Sequence, residues 1–125
     1  MTIWAFAMVT DDDARQKVYN SIIHGKSRFG WSGSEDSDLR KKWDGKQAFL
    51  LSVEKDDWIV HVNSPSWGKC VAVQVVDKYE FDEGLECDWG RDFRHCIPVN
   101  PETLIEFERN SDSVLPTVNL NPRQR

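Results

Sequence analysis

Cysteine is scarce in this chain: Cys70, Cys87 and Cys96 are the three present. An odd count with no C-x-x-C pair supports neither a disulfide framework nor a thiolate zinc site, so buried free thiols are expected. Long apolar runs are missing as well. Nothing approaches the roughly 20 consecutive apolar residues that span a bilayer. The opening MTIWAFAMVTDDD has neither the basic start nor the cleavage site of a signal peptide. The chain therefore reads as a cytoplasmic protein without membrane contact. Positive charge is in deficit, with 16 Lys and Arg against 21 Asp and Glu and a net charge of −5. That balance counts against a broad basic face gripping phosphates and restricts any nucleic-acid site to a local patch. Low-complexity segments, internal repeats and linkers are also absent, which leaves no place to divide the chain.

What is present suits one folded domain. The 125 residues, 39% hydrophobic and 30% charged, suffice for a single core. Ile3 to Val9 is a short apolar run that reads as a buried strand. Thr10 with Asp13 forms a capping-box pattern, Ala14, Val18 and Ile22 recur at helical spacing, and Gly25 is a natural stop. The stretch Lys26 to Asp38, with two glycines and four serines, reads as an exposed loop carrying Phe29 and Trp31. A short helix is expected from Leu39 to Trp43, capped by Asp38 and ended by Asp44-Gly45.

Three strands are then expected in AFLLSV (48–53), DWIVHV (57–62) and CVAVQVV (70–76), the last running on into Lys78 to Phe81. Val71, Val73 and Val75 should share one face, with Cys70, Ala72 and Gln74 on the other. An acidic excursion from Asp82 to Gly90 ends near Trp89, and a further strand follows at Phe93 to Val99. Asn100 and Pro101 open an expected helix reaching about Asn110, and Val114 to Leu120 suits an edge strand.

Six tryptophans is a high count for this length. Trp4 and Trp58 fall in strands and read as packing, whereas Trp31, Trp67 and Trp89 fall on loops, where large aromatics are costly to expose without a ligand. Flat rings converging from loops sandwich a planar base or enclose a methylated cation. Loop tryptophans that fold back over an open barrel end give the same pattern, so packing stays open for each. Catalytic patterns are weak. His95 and Cys96 are strand neighbours whose side chains point to opposite faces, His24 and His61 suit structural roles, and no carboxylate-lysine spacing suits a metal-dependent nuclease. A binding module is expected, not an enzyme, with no cofactor and no metal.

Several stretches carry a resemblance: Gly30-Trp31-Ser32, Leu39 to Trp43, Ala48 to Val53, Gly68 to Val76, Trp89 to Arg94 followed by Ile97-Pro98-Val99, and Asn110 to Thr117. In this order they resemble the PUA-like superfamily, and within it the YTH and EVE domains that bind modified bases. The resemblance implies a small α+β barrel of five or six mainly antiparallel strands with two or three helices, spanning residues 1–119 before a basic tail at 120–125. It also implies an aromatic cage in which Trp31 forms one wall and Trp89, Trp67 or Tyr79 supply others.

A base so held would be read at its edge by Ser32, Asn63, Ser64 or Asp92, with Lys26, Arg28, Arg91 and Arg94 meeting phosphates. The implied partner is DNA or RNA carrying a modified, flipped base. Such a domain fits the sensing module of a modification-dependent restriction, defence or RNA-processing system, accompanied by other domains. The alternative is a protein-interaction or small-ligand module that uses the same pocket for a basic or cationic partner.

Overall fold

The computed structural model describes residues 1–8 and 11–109. It is a small α+β domain in which one α-helix packs on a curled, half-barrel sheet. Strand β1 (Ile3–Ala7) leads to helix α1 (Asp12–Ile23) and strand β2 (Lys26–Phe29). A 3-10 helix (Ala48–Ser52) precedes β3 (Trp58–Val62) and β4 (Lys69–Val75). The short strands β5 (Glu80–Phe81), β6 (Leu85–Cys87) and β7 (Gly90–Asp92) lead to the long β8 (His95–Glu108). The sheet runs β1-β3-β4-β8-β2, with β5 also pairing with β8, and β6 and β7 form a separate hairpin. The β1–β3 pair is parallel and the other pairs are antiparallel.

Helix α1 forms where the spacing placed it, with Ala14, Val18 and Ile22 buried. Its cap is Asp11, whose carboxylate accepts from Ala14 N–H at 2.9 Å; Thr10 lies outside the described residues. Strand β4 divides its faces as expected. Val71, Val73 and Val75 enter the main core with α1, while Cys70 and Ala72 join Ala5, Val60, Val62 and Phe107 in a second cluster on the opposite face.

Several expected elements differ. Strand β4 ends at Val75 and does not run on into Lys78 to Phe81: Asp77 Oδ1 accepts from Lys78 N–H at 2.7 Å in the break, and Glu80–Phe81 form the separate β5 on β8. The stretch expected as a strand at 48–53 is the 3-10 helix Ala48–Ser52, which buries Leu50, with Val53 beyond it in extended backbone. A short apolar run does not distinguish it from a strand. The start of the expected 26–38 loop is strand β2, whose polar Ser27 and Arg28 are buried beside Phe29. The expected 39–43 helix is one turn, closed by Lys41 and Lys42 N–H donating to Asp38 O.

Residues 101–108 continue β8 instead of forming a helix. Asn100 does accept from Glu102 N–H at 3.0 Å, as a cap would, but Thr103 Oγ1 takes Gln74 N–H at 2.8 Å and seats a bulge in the β4–β8 ladder. Beyond the bulge Ile105 and Phe107 alternate with Glu106 and Glu108, a period of two. The described residues thus hold one α-helix where two or three were expected. The stretch 114–120 and the 120–125 tail lie outside the described residues.

Candidate aromatic pocket

A pocket of about 260 Å³ opens beside the end of β1. Phe6, Ala7 and Met8 form one side, Gly30 and Trp31 follow directly from β2, and Trp89, Asp92 and Phe93 come from the β6–β7 hairpin and its exit. Trp31 and Trp89 are 75% and 49% exposed, whereas Met8 and Phe93 are buried. The lining is therefore an apolar floor with two indoles at its mouth.

One carboxylate ties the two tryptophan-bearing segments together. Asp92 Oδ1 accepts from Ser32 N–H at 3.0 Å and from Phe93 N–H at 2.7 Å, while Oδ2 accepts from Trp89 Nε1 at 3.0 Å. A carboxylate has about four acceptor sites, so roughly one is left for a ligand. Trp31 and Phe93 both hold left-handed backbone, with φ of 63° and 58°. Bulky residues in that region cost about 1–3 kcal/mol and cluster at functional sites. Close approach also constrains the loops: a Cβ at Gly84 would lie 2.3 Å from Asp92 O. One at Gly30 would sit in ordinary van der Waals contact with the Phe93 ring, at 3.4 Å.

Of the expected base-binding residues, the lining brings together Trp31, Trp89 and Asp92. Ser32 lies immediately behind them, fully buried, its hydroxyl donating to Phe29 O and accepting from Arg94 and His95 N–H. It holds the chain crossing and presents no group to the pocket. Tyr79 is buried elsewhere. Its hydroxyl accepts from Leu39 N–H at 3.2 Å and meets His95 Nδ1 at 2.6 Å, and burial pushes its pKa up to about 12. Trp67, 66% exposed, projects from the β3–β4 turn with the Arg15 guanidinium 5.2 Å over its ring. Asn63 and Ser64 shape that turn by accepting from Gly68 N–H and donating to Arg15 O.

The expected phosphate-binding side chains lie outside the lining. Arg28 makes two bonds to Asp82, at 2.7 and 2.8 Å, and a third to Phe93 O at 2.9 Å. Lys26 reaches Asp82 at 3.1 Å and Glu80 at 3.7 Å. Burial alone would raise the Asp82 pKa, but the hydrogen bonds from Arg28, Gly84 and Lys26 hold it well below the usual carboxylate range. Arg94 is buried, its Nε without a partner among the described residues, and Arg91 reaches the Glu83 and Gly84 carbonyls at 3.3 and 3.4 Å.

The lining residues that sequence reasoning missed are Phe6, Ala7, Met8, Gly30 and Phe93. The first three sit where a strand ends, and nothing in their spacing marks a pocket. Trp43 is a further exposed indole, at 76%, outside this lining. Among the described residues no group of His, Cys, Asp and Glu could hold a metal, and no helix is long and apolar enough to cross a membrane. Compared with protein-family models, curated proteins and solved structures, the chain matches none.

Proposed function

We propose that this chain is a binding module whose pocket takes a planar, unpaired base between Trp31 and Trp89. The convergence of two exposed indoles on a small apolar pocket carries this reading. Each indole offers a stacking face worth roughly 1–3 kcal/mol per base. The volume, below the usual 300–1,000 Å³ of drug-sized sites, suits a single ring system. An added methyl group on that ring would meet Phe6, Met8 or Phe93, which is how a modified base would gain over an unmodified one.

The Asp92 carboxylate favours a second reading, since among the described residues it is the one ionisable group in the lining. A methylated ammonium enclosed by Trp31 and Trp89 would meet both ring faces and that negative charge. A basic peptide or small cation would then be the ligand.

Tryptophan fluorescence separates the two. Titration with short single- and double-stranded DNA and RNA, with and without methylated adenine or modified cytosine, should quench emission for a stacked base. Quenching by a trimethyl-lysine peptide, with silence across every oligonucleotide, would replace the first reading with the second.

A further inference from the structure

The β1–β3 ladder fixes where each main-chain group of β1 points. Trp58 N–H donates to Thr2 O at 2.9 Å and Met8 N–H donates to Val62 O at 3.0 Å. Since alternate residues of a strand turn their amide and carbonyl to opposite edges, Thr2, Trp4, Phe6 and Met8 face β3. The amides and carbonyls of Ile3, Ala5 and Ala7 leave the other edge. Strand β1 ends the sheet order, and no described strand pairs with that edge.

Ala7 is the residue at which the free edge meets the pocket. Its methyl group packs with the second apolar cluster on the opposite face of the sheet, whereas Phe6 and Met8 belong to the main core. What Ala7 presents to the pocket is therefore main chain: an N–H donor and a C=O acceptor side by side. Among the described residues neither group has a hydrogen-bond partner.

We propose that the Ala7 N–H and C=O read the polar edge of the ring held between Trp31 and Trp89. The pocket then takes a heterocycle with an adjacent donor and acceptor, as the pairing edge of a nucleobase has. A methylated ammonium offers no acceptor and leaves the Ala7 amide unpaired on binding. The inference rests on the base-binding reading and narrows it from any flat ring to one with a two-part polar edge. Geometry favours the strand edge as reader, because a main-chain pair on a sheet is held more rigidly than a surface side chain and cannot rotate away.

The experiment varies the ligand first and the protein second. Short single strands carrying one adenine or thymine are compared with strands in which that base is N6,N6-dimethyladenine or 3-methylthymine, which keep the ring but lose the donor. Binding is followed by tryptophan fluorescence. A site that pairs with the edge should lose on the order of tenfold or more in affinity for the blocked bases.

In the protein, Ala7→Pro removes the edge N–H without touching the β3 ladder, a change that edge strands tolerate. Ile3→Pro makes the same change away from the pocket. Weakened binding by A7P but not I3P, with both variants folded by circular dichroism, supports the assignment. Where A7P does not fold, the blocked-base series decides. Equal binding of blocked and unblocked bases overturns the Ala7 reading and leaves the stacked-base reading standing. No quenching by any strand overturns both.

Discussion

Trp89 Nε1 donates to Asp92 Oδ2 at 3.0 Å, so the side chain that forms one wall of the pocket is held by the carboxylate at its base. The same carboxylate holds Ser32 N–H, one residue beyond Trp31. Asp92 thus fixes the Trp89 indole and ties its segment to the one that carries Trp31 before any ligand arrives, which reduces the ordering cost of binding.

Asp92→Asn should loosen this arrangement. An amide has one acceptor oxygen, so either Trp89 Nε1 or the Ser32 and Phe93 amides lose their partner. Stability should fall by roughly 1–3 kcal/mol, measured by urea denaturation, and oligonucleotide affinity should fall with it. Unchanged stability would show that the three bonds to Asp92 contribute little.

Position 31 should separate stability from binding. Trp31 is exposed with φ of 63°, a conformation that glycine adopts at little cost. Trp31→Gly should therefore be more stable than Trp31→Ala by about 1 kcal/mol, while both lose the roughly 1–3 kcal/mol of one stacking face. Thermal melts and fluorescence titration check the two halves. Trp67→Ala should leave binding unchanged, since Trp67 lies outside the pocket lining.

Ionic strength should matter little. Lys26 and Arg28 are already paired with Asp82, and among the described residues no Lys or Arg is in the lining. The slope of log affinity against log salt should be about −1 or shallower, since each released counterion contributes roughly −0.7 for single strands. A slope of about −4 would mean that phosphates are gripped by groups outside this pocket.

Acid should destabilise the fold above the range where carboxylates titrate. His61 is fully buried beside the Phe29 ring with Ser27 Oγ on its Nε2, and burial lowers its pKa to about 3. Burial also lowers that of His95. The unfolded chain takes up these protons below about pH 6.5 and the folded chain does not, so stability declines from there downward. The slope reaches at most about 1.4 kcal/mol per pH unit for each histidine. Asp82, whose pKa is depressed in the fold, adds its own loss below about pH 4. Equal urea midpoints at pH 7 and pH 5 would contradict the histidine contribution.

Much of the architecture was legible where one period dominated. The i, i+4, i+8 apolar set of α1 and the alternation of β4 each had a single reading. The chain misled where local chemistry served two ends. Asn100-Pro101 looks like a helix start, and the Asn100 side chain does bond as a cap, yet that turn is spent on a bulge. Strand β2 was hidden because Ser27 and Arg28 look like loop residues until His61 of β3 and Asp82, just past β5, are brought to them. In the pocket Trp31, Trp89 and Asp92 were legible as large or charged residues on turns. Ala7 was not, because what it contributes is main chain, and its exposure depends on β1 lying at the sheet edge.

The most direct measurement is the indole N–H region of a ¹H–¹⁵N correlation spectrum during titration with a short strand carrying a methylated base. The six tryptophans give six side-chain signals. A base held between Trp31 and Trp89 should shift those two and leave Trp4, Trp43, Trp58 and Trp67 in place. Movement of Trp67 or Trp43 alone, or of no indole, would contradict a base-binding cage at Trp31 and Trp89.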